Sequence, residues 1–238
     1  MVFDNGWAAP YSWWEEVFTP TAEVTQACMY NRAGIGASDP APGPRTSLDY
    51  ANDLHLLLQK AGIAGPFLLV GHSLGGGNIL IYAQEYPDET AGLVLVDPWV
   101  AGLEEPFLSV LPTQSATEDK QLTECRQSFT DSLNPTQAFD PNDPEKTDFI
   151  QSSEQVRSIK DLGDIPLNVI TAMQDPWPCY YKMAAQMHEI RQAGHQDYAK
   201  LSTQGKQIIA EHSHHIVMWF EPGLIVAAIL EMVEGARK

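Results

Sequence analysis

A short apolar run, Phe67-Leu68-Leu69-Val70, passes without a linker into Gly71-His72-Ser73-Leu74-Gly75-Gly76 and on into a helical pattern, Leu74–Glu85. This junction constrains the fold more than any other segment. The chain must turn sharply from strand to helix, and the turn centres on Ser73. Neighbours without side chains, Gly71 and Gly75, relieve the crowding such a turn creates. An apolar run with no polar alternation suits a strand buried on both faces, as in a parallel sheet.

Other segments extend the pattern. Strand-like runs occur at Met1–Phe3, Val24–Tyr30, Leu93–Val96, Leu167–Thr171 and Gln207–Ala210. Helical patterns at Ser47–Ala61, Tyr180–Ala193 and Gly223–Glu234 separate them. This alternation predicts a doubly wound α/β sheet, mostly parallel and flanked by helices. The stretch from Trp99 to Ile165 interrupts it with five prolines and no strand pattern. Two helices are predicted there. One follows a capping box at Ser115 and Glu118, and the other starts at Asp143-Pro144. Residues 1–98 and 166–238 are therefore read as the core and 99–165 as an inserted helical cap.

The 31 acidic and 14 basic residues give a net charge of −17, the wrong sign for neutralising phosphates or binding an anionic membrane surface. A solvated acidic surface explains it, with adaptation to salt as a second reading. No apolar run reaches the ~20 residues of a membrane span. The first residues lack the basic region of a secretory signal, so a cytoplasmic location is expected. Cys28, Cys125 and Cys179 are too few and too scattered for a disulfide framework or metal site, though Cys125 could pair with Cys179.

Ser73 lies in a G-x-S-x-G pattern between strand and helix. There a serine projects at the carboxyl end of a sheet, and the Leu74 amide at the helix N-terminus can stabilise a developing oxyanion. His72 is read as a packing or hydrogen-bonding residue. The segments Tyr30-Asn31-Arg32-Ala33-Gly34-Ile35-Gly36, Val70–Gly76 and Leu93-Val94-Leu95-Val96-Asp97-Pro98 resemble the α/β-hydrolase superfamily, in particular small bacterial esterases.

That resemblance implies an α/β-hydrolase fold and a triad in the order Ser, Asp or Glu, His. It implies His215 as base, just after the last strand, with His214 as the alternative. It implies Asp175 as the acid, through a Pro-x5-Gly-x-x-Asp pattern in which Ala172 replaces glycine. Asp97 is the rival, at the end of an earlier strand. The second oxyanion donor falls by position on the Trp7 amide. Gly6 permits close approach, and Asn5 stands where the family has histidine. His55, His188 and His195 are read as surface or packing residues.

The chemistry implied is acyl transfer, with water releasing the acyl-enzyme and neither cofactor nor metal required. The apolar stretch 99–165 points to uncharged small-molecule esters with small to medium acyl groups. The same scaffold serves aminopeptidases, thioesterases, lactonases, C–C hydrolases and cofactor-free haloperoxidases, or a non-catalytic ligand-binding relative. The family normally has a strand pair ahead of the strand that begins here at Met1. Its absence would leave Val24–Tyr30 at the sheet edge, with no lysine or proline to guard it. The expectation is a homodimer through that edge, a covering segment, or a natural product that starts upstream.

Overall fold

The computed structural model describes residues 1–134, 140–174 and 183–237. Its strands are β1 (Val2–Asp4), β2 (Cys28–Met29), β3 (Phe67–His72), β4 (Thr90–Val96), β5 (Leu167–Ala172) and β6 (Gly205–Ala210). They form one parallel sheet in the order β2-β1-β3-β4-β5-β6. The helices are α1 (Glu15–Ala22), α2 (Ser47–Lys60), α3 (Leu74–Glu85), α4 (Glu104–Val110) and α5 (Lys120–Ser132), then α6 (Phe149–Ser158), α7 (Ala184–Ala199), α8 (Val217–Phe220) and α9 (Pro222–Ala236).

Side chains along a strand alternate between the two faces. Leu69, Leu93, Leu95, Leu167 and Val169 enter one core layer, covered by α2, α3, α6 and the end of α7. Leu68, Val70, Val94, Val96 and Ile170 enter the other, covered by α1, α8 and α9. β3 and β4 lie inside the sheet, so both faces of each are buried, and this is why their sequences are apolar without alternation.

The segment between β4 and β5 differs from its sequence reading in detail. α5 begins at Asp119, whose carboxylate accepts the Leu122 N–H at 2.9 Å. The proposed box at Ser115 and Glu118 does not form, because Glu118 turns to Arg126 at 2.9 Å. α6 begins at Asp148, whose carboxylate caps Gln151 N–H at 2.9 Å. Asp143-Pro144 instead opens a buried turn, with the Asp143 carboxylate taking the amides of Glu145 (3.1 Å) and Thr147 (2.8 Å). α6 packs against α2 and α3 as part of the core layer. α4 packs on α5 and α7, around Phe107, Leu111 and Met187.

At the other side, β2 is the sheet edge but only two residues long. A turn after α1, with the amides of Val24 and Thr25 both on the Thr21 carbonyl, takes up the start of the expected strand. A strand this short exposes few unpaired backbone groups. Among the described residues no helix is long and apolar enough to cross a membrane. Cys179, and with it the Cys125–Cys179 pair, lies outside the described residues.

Candidate active site

The turn at Ser73 is as tight as its glycines imply. Ser73 has φ 50° and ψ −119°, a conformation L-residues rarely adopt. Its amide donates to Val96 O (3.2 Å), while its carbonyl accepts from Gly76 (2.9 Å) and Trp99 (3.0 Å). The strained residue is thus held from β4, its own helix and the chain beyond Asp97. A Cβ at Gly71 would lie 2.4 Å from the Gly75 carbonyl oxygen, and one at Gly75 2.5 Å from that of Asn5. Neither position admits a side chain.

His215 follows β6 and turns its ring to Asp97, with Nδ1 2.7 Å from Oδ2. Its neighbour His214 packs edge-on against Phe220 instead, ring centroids 5.1 Å apart. Asp175 lies outside the described residues. Among the described residues, the carboxylate beside the His215 ring is Asp97, the rival to Asp175 in the sequence reading. The backbone at the end of β4 explains the placement. Asp97 sits at φ 39°, and its amide donates to Ile170 O (2.8 Å). Its Oδ1 accepts the Ala172 N–H at 2.9 Å, bridging the ends of β4 and β5. Arg191 of α7 lies 3.5 Å from Oδ2. Burial alone would raise the Asp97 carboxyl, but the His215 hydrogen bond and the charges of Arg191 and His215 hold it well below the usual carboxylate range.

Two further histidines support this group. His72 is buried, and its Nε2–H donates to the His215 carbonyl at 2.9 Å. Burial, followed by the neighbouring His215, lowers its pKa to about 3, so the ring is neutral. His195 is fully buried, donating to Pro98 O (2.8 Å) and accepting from Thr171 Oγ1 (3.0 Å). Burial lowers it to about 4 against the opposing pull of Asp97.

The loop after β1 comes up against Ser73. A Cβ at Gly6 would stand 2.8 Å from His72 Nδ1 and 3.4 Å from the Ser73 Cβ. Leu74 is the first residue of α3, where an amide has no intrahelical acceptor. The Trp7 ring is half exposed and meets Phe149 edge-on at 5.8 Å.

Sequence reasoning gave no role to the residues that hold this loop. Arg32 spends every N–H it has. Its Nε donates to Glu145 Oε1 (2.5 Å), Nη1 to Asp4 Oδ1 (2.5 Å) and Asn5 O (2.6 Å), and Nη2 to Gly6 O (2.7 Å) and Glu145 Oε2 (3.1 Å). Glu145 Oε2 also accepts the Ala8 N–H at 2.6 Å. Arg32 stood inside a quoted segment, but nothing local in the sequence marks Glu145, more than a hundred residues away.

Gly6, Trp7, Ser73, Leu74, Asp97 and His215 all line one cavity of about 450 Å³. Its other walls include Trp99, Phe107, Phe129, Phe149 and Met187, with Glu104 and Arg191 as charged members. A second cavity of about 700 Å³ shares Trp7, Trp99, Glu104 and Phe149 with it. Among the described residues no group of three or more His, Cys, Asp or Glu side chains is placed to hold a metal ion. A serine on a strained turn that shares one cavity with a carboxylate-bound imidazole and with Trp7 and Leu74 is a set of groups suited to nucleophilic attack on a carbonyl.

Known proteins agree with this architecture. YqjL of Bacillus subtilis, itself uncharacterized, is 25% identical over 233 residues, covering 98% of this chain and 82% of its own length. Seven other curated relatives are matched over 13% to 38% of their own lengths. A thermophilic esterase from Thermogutta terrifontis superposes with a TM-score of 0.63 at 18% identity, over 100% of this chain and 90% of the esterase. A hydrolase from Pseudomonas aeruginosa gives 0.66 at 16% identity, over 98% and 88%. These two structures share the fold. Residues 1–133, more than half of the sequence, match the alpha/beta hydrolase fold family. The chain is a member of the alpha/beta hydrolase fold family.

Proposed function

We propose that this protein is a serine hydrolase that cleaves carboxylic esters through an acyl-enzyme. Ser73 is the nucleophile, His215 the general base and Asp97 the acid that fixes the imidazole in its productive tautomer. The amides of Trp7 and Leu74 receive the oxyanion. The observation that carries this reading is the 2.7 Å bond from His215 Nδ1 to Asp97, formed in the cavity that Ser73 lines. It leaves Nε2 as the nitrogen available to the serine proton.

The aromatic and aliphatic wall of that cavity favours uncharged acyl groups, and α4 and α5, with Phe107 and Phe129, form the lid over it. The reading is tested with p-nitrophenyl esters of graded chain length. Hydrolysis of short to medium esters is expected, with kcat falling by about 10⁴-fold or more in Ser73→Ala. Equal turnover by Ser73→Ala would refute it.

A further inference from the structure

We infer that Arg32 and Glu145 are positioning residues that aim the Trp7 amide into the oxyanion hole. The inference rests on the acyl-transfer reading of the site. In a trans peptide the C=O and the following N–H point in opposite directions. The Gly6 carbonyl is held by Arg32 Nη2 at 2.7 Å, so the Trp7 N–H of the same peptide points away from Arg32. Gly6 and Trp7 line the cavity and Arg32 does not, so that direction is toward the reacting carbonyl. One residue earlier, Asn5 O is held by Arg32 Nη1 at 2.6 Å, which fixes the peptide that enters the turn.

The peptide that leaves the turn is fixed from the other side. Ala8 has φ 54°, a left-handed conformation that a residue with a Cβ adopts only under constraint. Its amide is taken by Glu145 Oε2 at 2.6 Å, and the same carboxylate grips Arg32 through both oxygens. Glu145 is itself anchored. Its amide donates to Asp143 and its carbonyl accepts from Tyr50 Oη at 3.2 Å. The brace therefore runs from the turn before α6, through Glu145 and Arg32, to three successive peptides of the oxyanion loop. All of it is buried: Asp4, Arg32, Asp143 and Glu145 are each 6% exposed or less. Among the described residues, Arg32 and Glu145 make no hydrogen bond to Ser73 or to the His215 ring, so they act by holding the loop.

The test compares an oxygen ester with its thionoester, whose sulfur is a poor hydrogen-bond acceptor. An enzyme that depends on oxyanion donors prefers the oxygen ester, and the preference shrinks as a donor is lost. The variants are Glu145→Gln, which keeps size but turns an NH₂ toward at least one of the three N–H groups the carboxylate accepts, and Arg32→Lys, which keeps charge but not the fork. The expected result is folded protein by circular dichroism and KM near that of the parent. kcat on the oxygen ester falls by about 10- to 100-fold, and the oxygen-to-thiono ratio is much reduced. An unchanged ratio in a folded variant, whatever happens to kcat, would overturn the inference. So would loss of the fold in both variants, which would make the brace structural. A parent enzyme that is not labelled at Ser73 by a fluorophosphonate refutes the acyl-transfer reading, and this inference with it. A labelled, discriminating parent with equally discriminating variants refutes the brace alone.

Discussion

At the scale of single residues, the proposal turns on Asp97, at the end of β4, as the acid that hydrogen-bonds His215. Asp97→Asn should lower kcat by about 10²- to 10⁴-fold, because an amide leaves the imidazole without the anion that selects its tautomer. Asp175→Asn should cost far less, and comparing the two rates checks the assignment. The sequence carried both carboxylates, each following a predicted strand. A local pattern does not rank them, because the choice depends on which strand end His215 reaches across to. The register of β4 on β5 and the positive φ of Asp97 decide that, and neither is written in a local pattern. Ser73 was legible because its constraint is local: strand, glycine, serine and helix are contiguous. His215 over His214 followed from counting along one loop. Arg32 and Glu145 were not legible as a unit, since their pairing exists only once the turn before α6 has docked beside β1.

At the scale of elements, Phe129 on α5 and Phe149 at the start of α6 both wall the cavity, yet they belong to different packing units. Phe129 joins the α4, α5 and α7 cluster, whereas α6 is part of the core layer. Phe129→Ala should therefore move the preferred acyl length toward longer esters with little change in melting temperature. Phe149→Ala should shift preference and cost stability too. A chain-length profile unchanged by either substitution would refute a substrate-facing lid. Each strand among the described residues falls on a run read from the sequence, most plainly β3 and β4, where burial on both faces leaves an apolar run. Helix starts between β4 and β5 were less legible. Several acidic residues there can cap, and tertiary partners settled which did: Arg126 took Glu118, and the buried turn took Asp143.

For the whole molecule, pH acts through groups buried in one protonation state. His72 and His195 are held neutral in the fold, with pKa values of about 3 and about 4. In the unfolded chain they protonate near ~6.5. Between that value and the folded one the unfolded state binds more protons, so stability falls as pH falls. Each group contributes up to about 1.4 kcal/mol per pH unit. Asp97, depressed in the fold, adds to the loss below its unfolded value of ~3.9 and contributes fully above it. Urea unfolding from pH 7 to pH 4 should show this decline, with a gentler slope in His195→Gln. A flat profile over that range would mean the two rings are not held neutral.

The central claim, that Ser73 is activated by His215, is most directly tested by covalent labelling. A fluorophosphonate should react with the parent protein at Ser73, identified by peptide mass spectrometry. The labelling rate should fall by about 10³-fold or more in His215→Ala, since nucleophile and base act as a unit. Labelling at another residue, or an equal rate in the His215 variant, would contradict the account.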